Sequence, residues 1–395
     1  MLQNISRKDR INQYIANNPD CLQGKTKFSL LNDSYDLDVY QLNLDLIYPN
    51  DTNGRISTEK IELELKLGYK IERANPRHYE LLTQLLLPDD EETRQLLQQM
   101  QNPGQIDPGL ITTDGRIINS NRRYAAKKKL NQSTMLVAIL PSSLTAQQLF
   151  DIEFDLQVTG DYKKEYKGIN RLFMIRRALE LGKTHADFKK DHNISSKVIN
   201  RDMMVLEKIE LFLEEIDEEG NYGLLSNMLE HFFDYVKEIE KIEANNGDLF
   251  SAEETFFALM KINIEETSPV IAHKDIRDTL FYASIDPKIA AVLTRNLDSD
   301  NPNANQNILD DVAIAKSLAK ARKDNESILK TIGKLRSQIS GINVTESQYI
   351  LENQGHLVIL KALQDFENDA NKFVQEVTDE TNKQVRIAEA KMANI

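Results

Sequence analysis

The 395-residue chain has no tryptophan, one cysteine, 15 glycines and 10 prolines. The lone thiol, Cys21, excludes a disulfide framework and a cysteine-based zinc site, and it points to a reducing compartment. Few glycines and prolines in so long a chain favour helix. No apolar run approaches the roughly 18 residues that span a bilayer, and the start MLQNISRKDRINQY is polar, without a signal-peptide core. The expected location is cytoplasmic, with no membrane partner. A net charge of −13 excludes indiscriminate coating of nucleic acid, which requires an excess of positive charge.

Local patches depart from that average. Arg122, Arg123, Lys127, Lys128 and Lys129 form one basic cluster; Lys183, Lys189, Lys190, Lys197 and Arg201 form a looser second. Acid collects elsewhere, as at Glu214, Glu215, Asp217, Glu218 and Glu219. The length predicts two or three domains.

Leu42, Leu44 and Leu46 alternate with polar neighbours and predict a strand over 39–48, ended by Pro49-Asn50-Asp51. Residues 61–69 fit strand or helix. Helices are expected over 79–87 and 91–100, the second stopped by Asn102-Pro103-Gly104. Asp114-Gly115 predicts a hairpin between 110–112 and 117–118, followed by a helix and an apolar strand over 135–140. This alternation describes a compact mixed α/β module.

Helices dominate beyond residue 144. Thr145 opens one, 166–181 is amphipathic and Gly182 stops it, and 184–192 and 195–216 follow. An acidic block over 222–245, 252–264 and 274–283 ends at the linker-like DSDNPNANQ, residues 298–306. Ile314, Leu318, Ala321, Asn325, Ile328, Ile332, Leu335 and Ile339 then form a heptad seam. Ser340-Gly341 interrupts it, and Thr345 with Gln348 fits a capping box for a last helix with the seam Ile359, Leu363, Phe366, Ala370, Phe373 and Val377. The two seams suit a hairpin within one chain or a coiled-coil homodimer.

Chemistry concentrates in DGRIINSNRRYAAKKKL, residues 114–130. Paired arginines at a helix start present two planar guanidinium forks beside the free N–H groups of a helix terminus, which suits a phosphate-bearing ligand. Ser120 and Asn121 are placed to cap that helix and line the same site. An exposed basic helix with Asn121 as a plain cap has the same pattern. The histidines show no metal spacing, and no Walker loop, nucleophile elbow or kinase set is present.

The order of LDLIYPN (44–50), GQIDPGLIT (104–112), DGRIINSNRRYAA (114–126) and a closing strand resembles the ParB/sulfiredoxin-like family. There a strand ending in Pro-Asn, a Gln-Pro strand and a Gly-Glu-Arg-Arg or Gly-Asn-Arg-Arg box occur in that order. EFDLQ (153–157) resembles the family's Glu-Asn-X-Gln-Arg segment, which helps to hold nucleotide and Mg²⁺. Anchoring on Leu156-Gln157 puts Asp155 at the Asn position; Glu153 supplies the acid only if the segment shifts by one. Ser120 stands where the family has Gly, and Asn121 replaces the common Glu. Residues 179–201 resemble the helix-turn-helix that follows this domain, with Thr184 and Ser195 as caps and Asn193-Ile194 as the turn.

The resemblance covers residues 39–216 and implies an α+β N-terminal domain there; with the helical patterns read above, the expected fold is that domain followed by a mostly α-helical remainder. The expected divisions are an N-terminal extension (1–38), a nucleotide-binding domain (39–165), a helix-turn-helix (166–216), an acidic helical block (217–297) and C-terminal heptad helices (307–395). The resemblance implies CTP or ATP, with Mg²⁺, held by Gln105, Ser120, Asn121, Arg122, Arg123 and Gln157. Glu153 and Asp155 are the catalytic candidates. DNA is expected at Lys189, Lys190, Ser195, Ser196, Lys197, Asn200 and Arg201, bound by a homodimer associated with the nucleoid. The rival readings are an enzyme of the same fold, an NTPase or nuclease of a mobile element or defence system, and a nucleotide-free interaction protein.

Overall fold

The computed structural model describes residues 6–30, 33–72, 75–101, 105–158, 168–265, 270–297, 304–340 and 355–392. Its contacts divide the chain into two units, Met1–Lys320 and Ala321–Ile395. The 102–104 breaker, most of the 298–306 linker and the 345–348 capping box lie outside the described residues.

The first unit begins with α1 (Arg7–Asn17), whose N-cap Ser6 accepts from the Asp9 amide, and the hairpin of β1 (Leu22–Leu30) and β2 (Asp33–Asn43). Segment 1–38, read above as an extension, is therefore built into the sheet: β1 pairs antiparallel with β2 from Leu22↔Tyr40 to Leu30↔Asp33. Apolar alternation is weak over β1 because it is a largely exposed edge strand. β2 also stops earlier than the leucine pattern predicts. Leu44–Leu46 turn as a 3₁₀ helix that still buries Leu44 and Leu46. Alternate burial thus outlasts the strand.

Next come α2 (Ser57–Leu67), which resolves the ambiguous 61–69 segment as helix up to Leu67, α3 (His78–Leu85) and α4 (Glu91–Gln101). β3 (Gly109–Ile111) and β4 (Ile117–Asn119) form the expected antiparallel hairpin, followed by α5 (Asn121–Lys129) and β5 (Thr134–Ile139). The sheet order is β1-β2-β5-β3-β4, with β3 and β5 parallel. The hairpin turn requires Gly115, at φ +88°; a β-carbon there would lie 2.5 Å from the Leu46 carbonyl oxygen.

The pleat divides the core into two layers. Leu42, Met135 and Val137 pack with Ile11 of α1 and Tyr124 of α5. Leu37, Val39 and Ala138 pack on the other face with Ile152 of α6 (Ala146–Val158). At the head of α6, Thr145 Oγ1 accepts from the Gln148 amide and Gln148 Oε1 accepts from the Thr145 amide, a reciprocal cap.

Helices then take over: α7 (Ile169–Glu180), α8 (His185–His192) and α9 (Ser196–Glu215). Thr184 and Asp187 form the capping box of α8, Asn193 adopts the left-handed conformation after it, and Ser195 caps α9 through the Val198 amide. α10 (Leu229–Ala244), α11 (Leu249–Glu265), α12 (His273–Ile285) and the short α13 (Pro287–Leu293) complete the helical block around Phe212, Phe232 and Phe256. Asp286 at the cap and Pro287 at the first position are the local signals for α13.

The long α14 (Ala304–Ser340) enters that core with Ile308, Val312, Ala315 and Ala319. This is a different face from the heptad seam, whose Ile314 and Leu318 are exposed. The second unit comprises the rest of α14 and α15 (Gly355–Met392). Ile328, Ile332 and Leu335 on the first seam, and Leu363, Phe366, Phe373 and Val377 on the second, are all exposed. No described helix is long and apolar enough to cross a membrane.

Candidate functional site

The strand-like bridge between Tyr48 and Arg116 sets the site. Tyr48 donates its amide to the Gly115 carbonyl and accepts from the Ile117 amide, so the chain leaves Pro49 directly beside β4 and the start of α5. There the Asn50 amide donates to Asn121 Oδ1 at 2.8 Å, and Asn121 Nδ2 reaches the Ile117 carbonyl at 3.4 Å. Asn121 is therefore turned inward, fastening the 50–55 loop to the helix start.

A cavity of about 720 Å³ opens at this helix start. Asn53 and Arg55 of the loop, Glu92, Gln95 and Gln99 of α4, and Asn119 to Arg123 supply its polar lining. Leu86, Leu96, Met100, Ile106 and Leu156 supply an apolar portion. Such a pocket suits a ligand with one flat or apolar part and one anionic part. Arg122 Nη1 pairs with Glu92 Oε2 at 3.4 Å, Nη2 donates to Thr93 Oγ1 at 3.1 Å, and Nε is buried without a hydrogen bond. Arg123 donates to the Asp107 carbonyl at 2.6 Å.

The rest of the basic helix faces elsewhere. Lys127 is buried against Gln132 and burial holds its pKa below the usual lysine range, while Lys128 pairs with Asp45 at 2.9 Å. The positive cluster read along 122–129 is thus split: an arginine pair at the cavity, a buried Lys127, a surface pair at Lys128 and an exposed Lys129.

Gln105 serves the sheet edge: its Nε2 donates to the Leu136 carbonyl and its Oε1 accepts from the Leu136 amide. It is not among the residues lining the cavity. Gln157 belongs to α6, and its side chain lies outside the described residues.

The two carboxylate candidates also lie off the cavity lining. Asp155 lies 3.1 Å from His192 Nδ1 of α8. Glu153 is buried, accepts from Asn50 Nδ2 at 2.9 Å, and borders a separate cavity of about 70 Å³ with Thr52, Arg116 and Arg177. Burial pushes its carboxyl up to about 7, against the opposing pull of Arg177, the Gly54 amide, Arg116 and Asn50.

Between its unfolded and folded pKa values the folded chain binds the extra proton, so stability falls as pH rises through that window. From pH 5 to 8 the wild type is expected to lose on the order of 2 kcal/mol that Glu153→Gln retains. Urea unfolding of both proteins across that range checks this, and parallel pH profiles would refute it.

Helix α7 grips the same loop from outside. Arg177 donates to the Thr52 carbonyl at 2.6 Å, Asn170 accepts from the Thr58 amide and donates to the Arg55 carbonyl, and a β-carbon on Gly54 would lie 1.9 Å from Met174 Sδ. Beyond it, Ser196, Lys197 and Asn200 share an exposed face at the start of α9, with Lys189 and Lys190 exposed on α8. Ser195 is held as the cap, and Lys189 donates to Asn193 Oδ1 at 2.6 Å. Lys197 makes an exposed pair with Glu240, and Arg201 lies over the Phe233 ring and bonds Asp202.

Sequence reasoning missed Asn53, Arg55, Glu92, Gln95 and Gln99. The available signal was their helical spacing: Glu92, Gln95, Leu96, Gln99 and Met100 follow i, i+3, i+4, i+7 and i+8 on α4.

No known family profile matches the chain, and no curated protein matches it in sequence. Two solved structures are similar to it. A Pnob8-like ParB-N domain aligns with 76% of this chain and 99% of its own length, at 11% identity and a TM-score of 0.32. The C-terminally truncated chromosome-partitioning protein ParB from Caulobacter crescentus, complexed with CTP-gamma-S, aligns with 60% of this chain and 98% of its own length, at 11% identity and a TM-score of 0.20.

Proposed function

We propose that the chain is a ParB-like, nucleotide-dependent DNA-binding protein. The observation that carries the nucleotide half is the cavity at the start of α5, where Arg122 and Arg123 meet a helix N-terminus beside an apolar wall. The phosphates of CTP or ATP sit against the arginines and the helix start, with Arg55 adding a third positive charge. Asn121 acts by fixing the loop and Ser120 lies at the phosphate end, whereas Gln105 is committed to the Leu136 backbone at the sheet edge and takes no part in this cavity. Mg²⁺, if bound, is held largely by the phosphate oxygens, because Glu153 and Asp155 do not line this cavity. Binding is accordingly the better-supported half of the resemblance, ahead of hydrolysis.

Calorimetric titration with CTP, ATP and GTP tests the reading. Saturable heat with at least one nucleotide is expected; no binding by any of them refutes it.

DNA is read through the α8–α9 helix-turn-helix. Ser196, Lys197 and Asn200 face the groove, Lys189 and Lys190 contact phosphates, Ser195 sets the helix start, and Arg201 contributes from its inward position. Lys190→Glu with Lys197→Glu is expected to weaken DNA binding at least tenfold in gel shifts and to flatten its salt dependence. Unchanged affinity would reduce this element to scaffold without touching the nucleotide claim. The exposed seams of α14 and α15 join two chains into the homodimer.

A further inference from the structure

Five described residues other than glycine have positive φ: Asn131, Asn193, Asp217, Asn246 and Ser120. Asn and Asp tolerate this conformation because a short polar side chain can bond locally. Ser120, at φ +85°, is the exception, and it makes no capping bond. Its Oγ is buried without a hydrogen bond, at 8% residue exposure.

Backbone strain and an unpaired hydroxyl both destabilise the fold, and glycine at this position would remove both. No hydrogen bond among the described residues uses the serine hydroxyl. It lines the cavity of about 720 Å³ next to Arg122, whose Nε is a second buried donor without a partner. Two unused donors at one helix start match one acceptor-rich anion.

We propose that the Ser120 hydroxyl and Arg122 Nε jointly hold one phosphoryl group of the ligand. This rests on the nucleotide reading above and deepens it. The hydroxyl donates to one phosphoryl oxygen and the guanidinium to another, so the strained residue is part of the binding surface. A serine here gives this pocket a side-chain donor where the Gly-Asn-Arg-Arg pattern offers backbone alone.

The test uses the full chain with two probes, inorganic triphosphate and the best-bound nucleotide. Ser120→Gly is expected to raise Tm by about 2 °C while weakening both probes about tenfold. Ser120→Ala, which keeps the strained backbone without the hydroxyl, should weaken both probes similarly. Nucleotide affinity unchanged in both variants would overturn the proposal and leave the nucleotide reading intact. Triphosphate that binds the wild type, and loses affinity in both variants, supports the proposal even where no nucleoside triphosphate binds. Failure of the wild type to bind either probe would overturn both.

Discussion

Replacing Arg122 with alanine is expected to weaken nucleoside triphosphate binding by about two orders of magnitude, because charge-assisted hydrogen bonds contribute roughly 1.5–3 kcal/mol each. Arg122 is the better of the two arginines for this test. Its side chain is 15% exposed and Glu92 and Thr93 hold it at the cavity wall, so its fork is pre-positioned. Glu92, at 69% exposure, is a weak surface-type partner that an incoming phosphate can displace. Calorimetry of wild type and Arg122→Ala side by side measures the difference. A change below threefold, in a variant with unaltered unfolding, would remove Arg122 from the ligand site. Arg122→Lys should recover only part of the loss, since an ammonium cannot reproduce the planar fork.

The second large effect concerns stability. Asp202→Ala is expected to destabilise the first unit by about 3–5 kcal/mol, the usual result of removing one partner from a buried ion pair. Asp202 is fully buried between Arg171, at 2.5 Å, and Arg201, at 2.8 Å. It joins α7 to α9, and its loss leaves two guanidinium groups facing each other without the carboxylate between them. Denaturant unfolding gives the number; a loss under about 1 kcal/mol would mean that water replaces the carboxylate freely. Arg171 and Arg201 are 29% and 35% exposed at the side chain, so Asp202→Asn is expected to be milder than alanine.

Local signals accounted for much of the architecture. Thr145 with Gln148, Thr184 with Asp187, Ser195 and Asp114-Gly115 mark their boundaries through hydrogen bonds to neighbours in sequence. What stayed hidden was non-local. Nothing near residue 22 announces that β1 completes a sheet whose other members end at residue 139. The heptad reading of α14 followed one apolar stripe, while Ile308, Val312, Ala315 and Ala319 bury another against the helical block. At the site, the arginine pair was legible because guanidinium forks at a helix start are a local pattern. The inward turn of Asn121, the withdrawal of Glu153 and the sheet-edge role of Gln105 depend on partners 31 to 103 positions away.

The 50–58 segment, the loop and the first turn of α2, is held from two sides. One side fastens to Asn121 and Glu153, the other to Arg177, Asn170 and Met174. A shortened chain ending with α6 would lose the bonds that Arg177 and Asn170 make to the Thr52 and Arg55 carbonyls and the Thr58 amide, and would bare the glycine surface on which Met174 rests. No described residue beyond α6 lines the cavity, yet α7 braces the segment that carries two of its lining residues, Asn53 and Arg55, so cutting the chain after α6 is expected to loosen that wall.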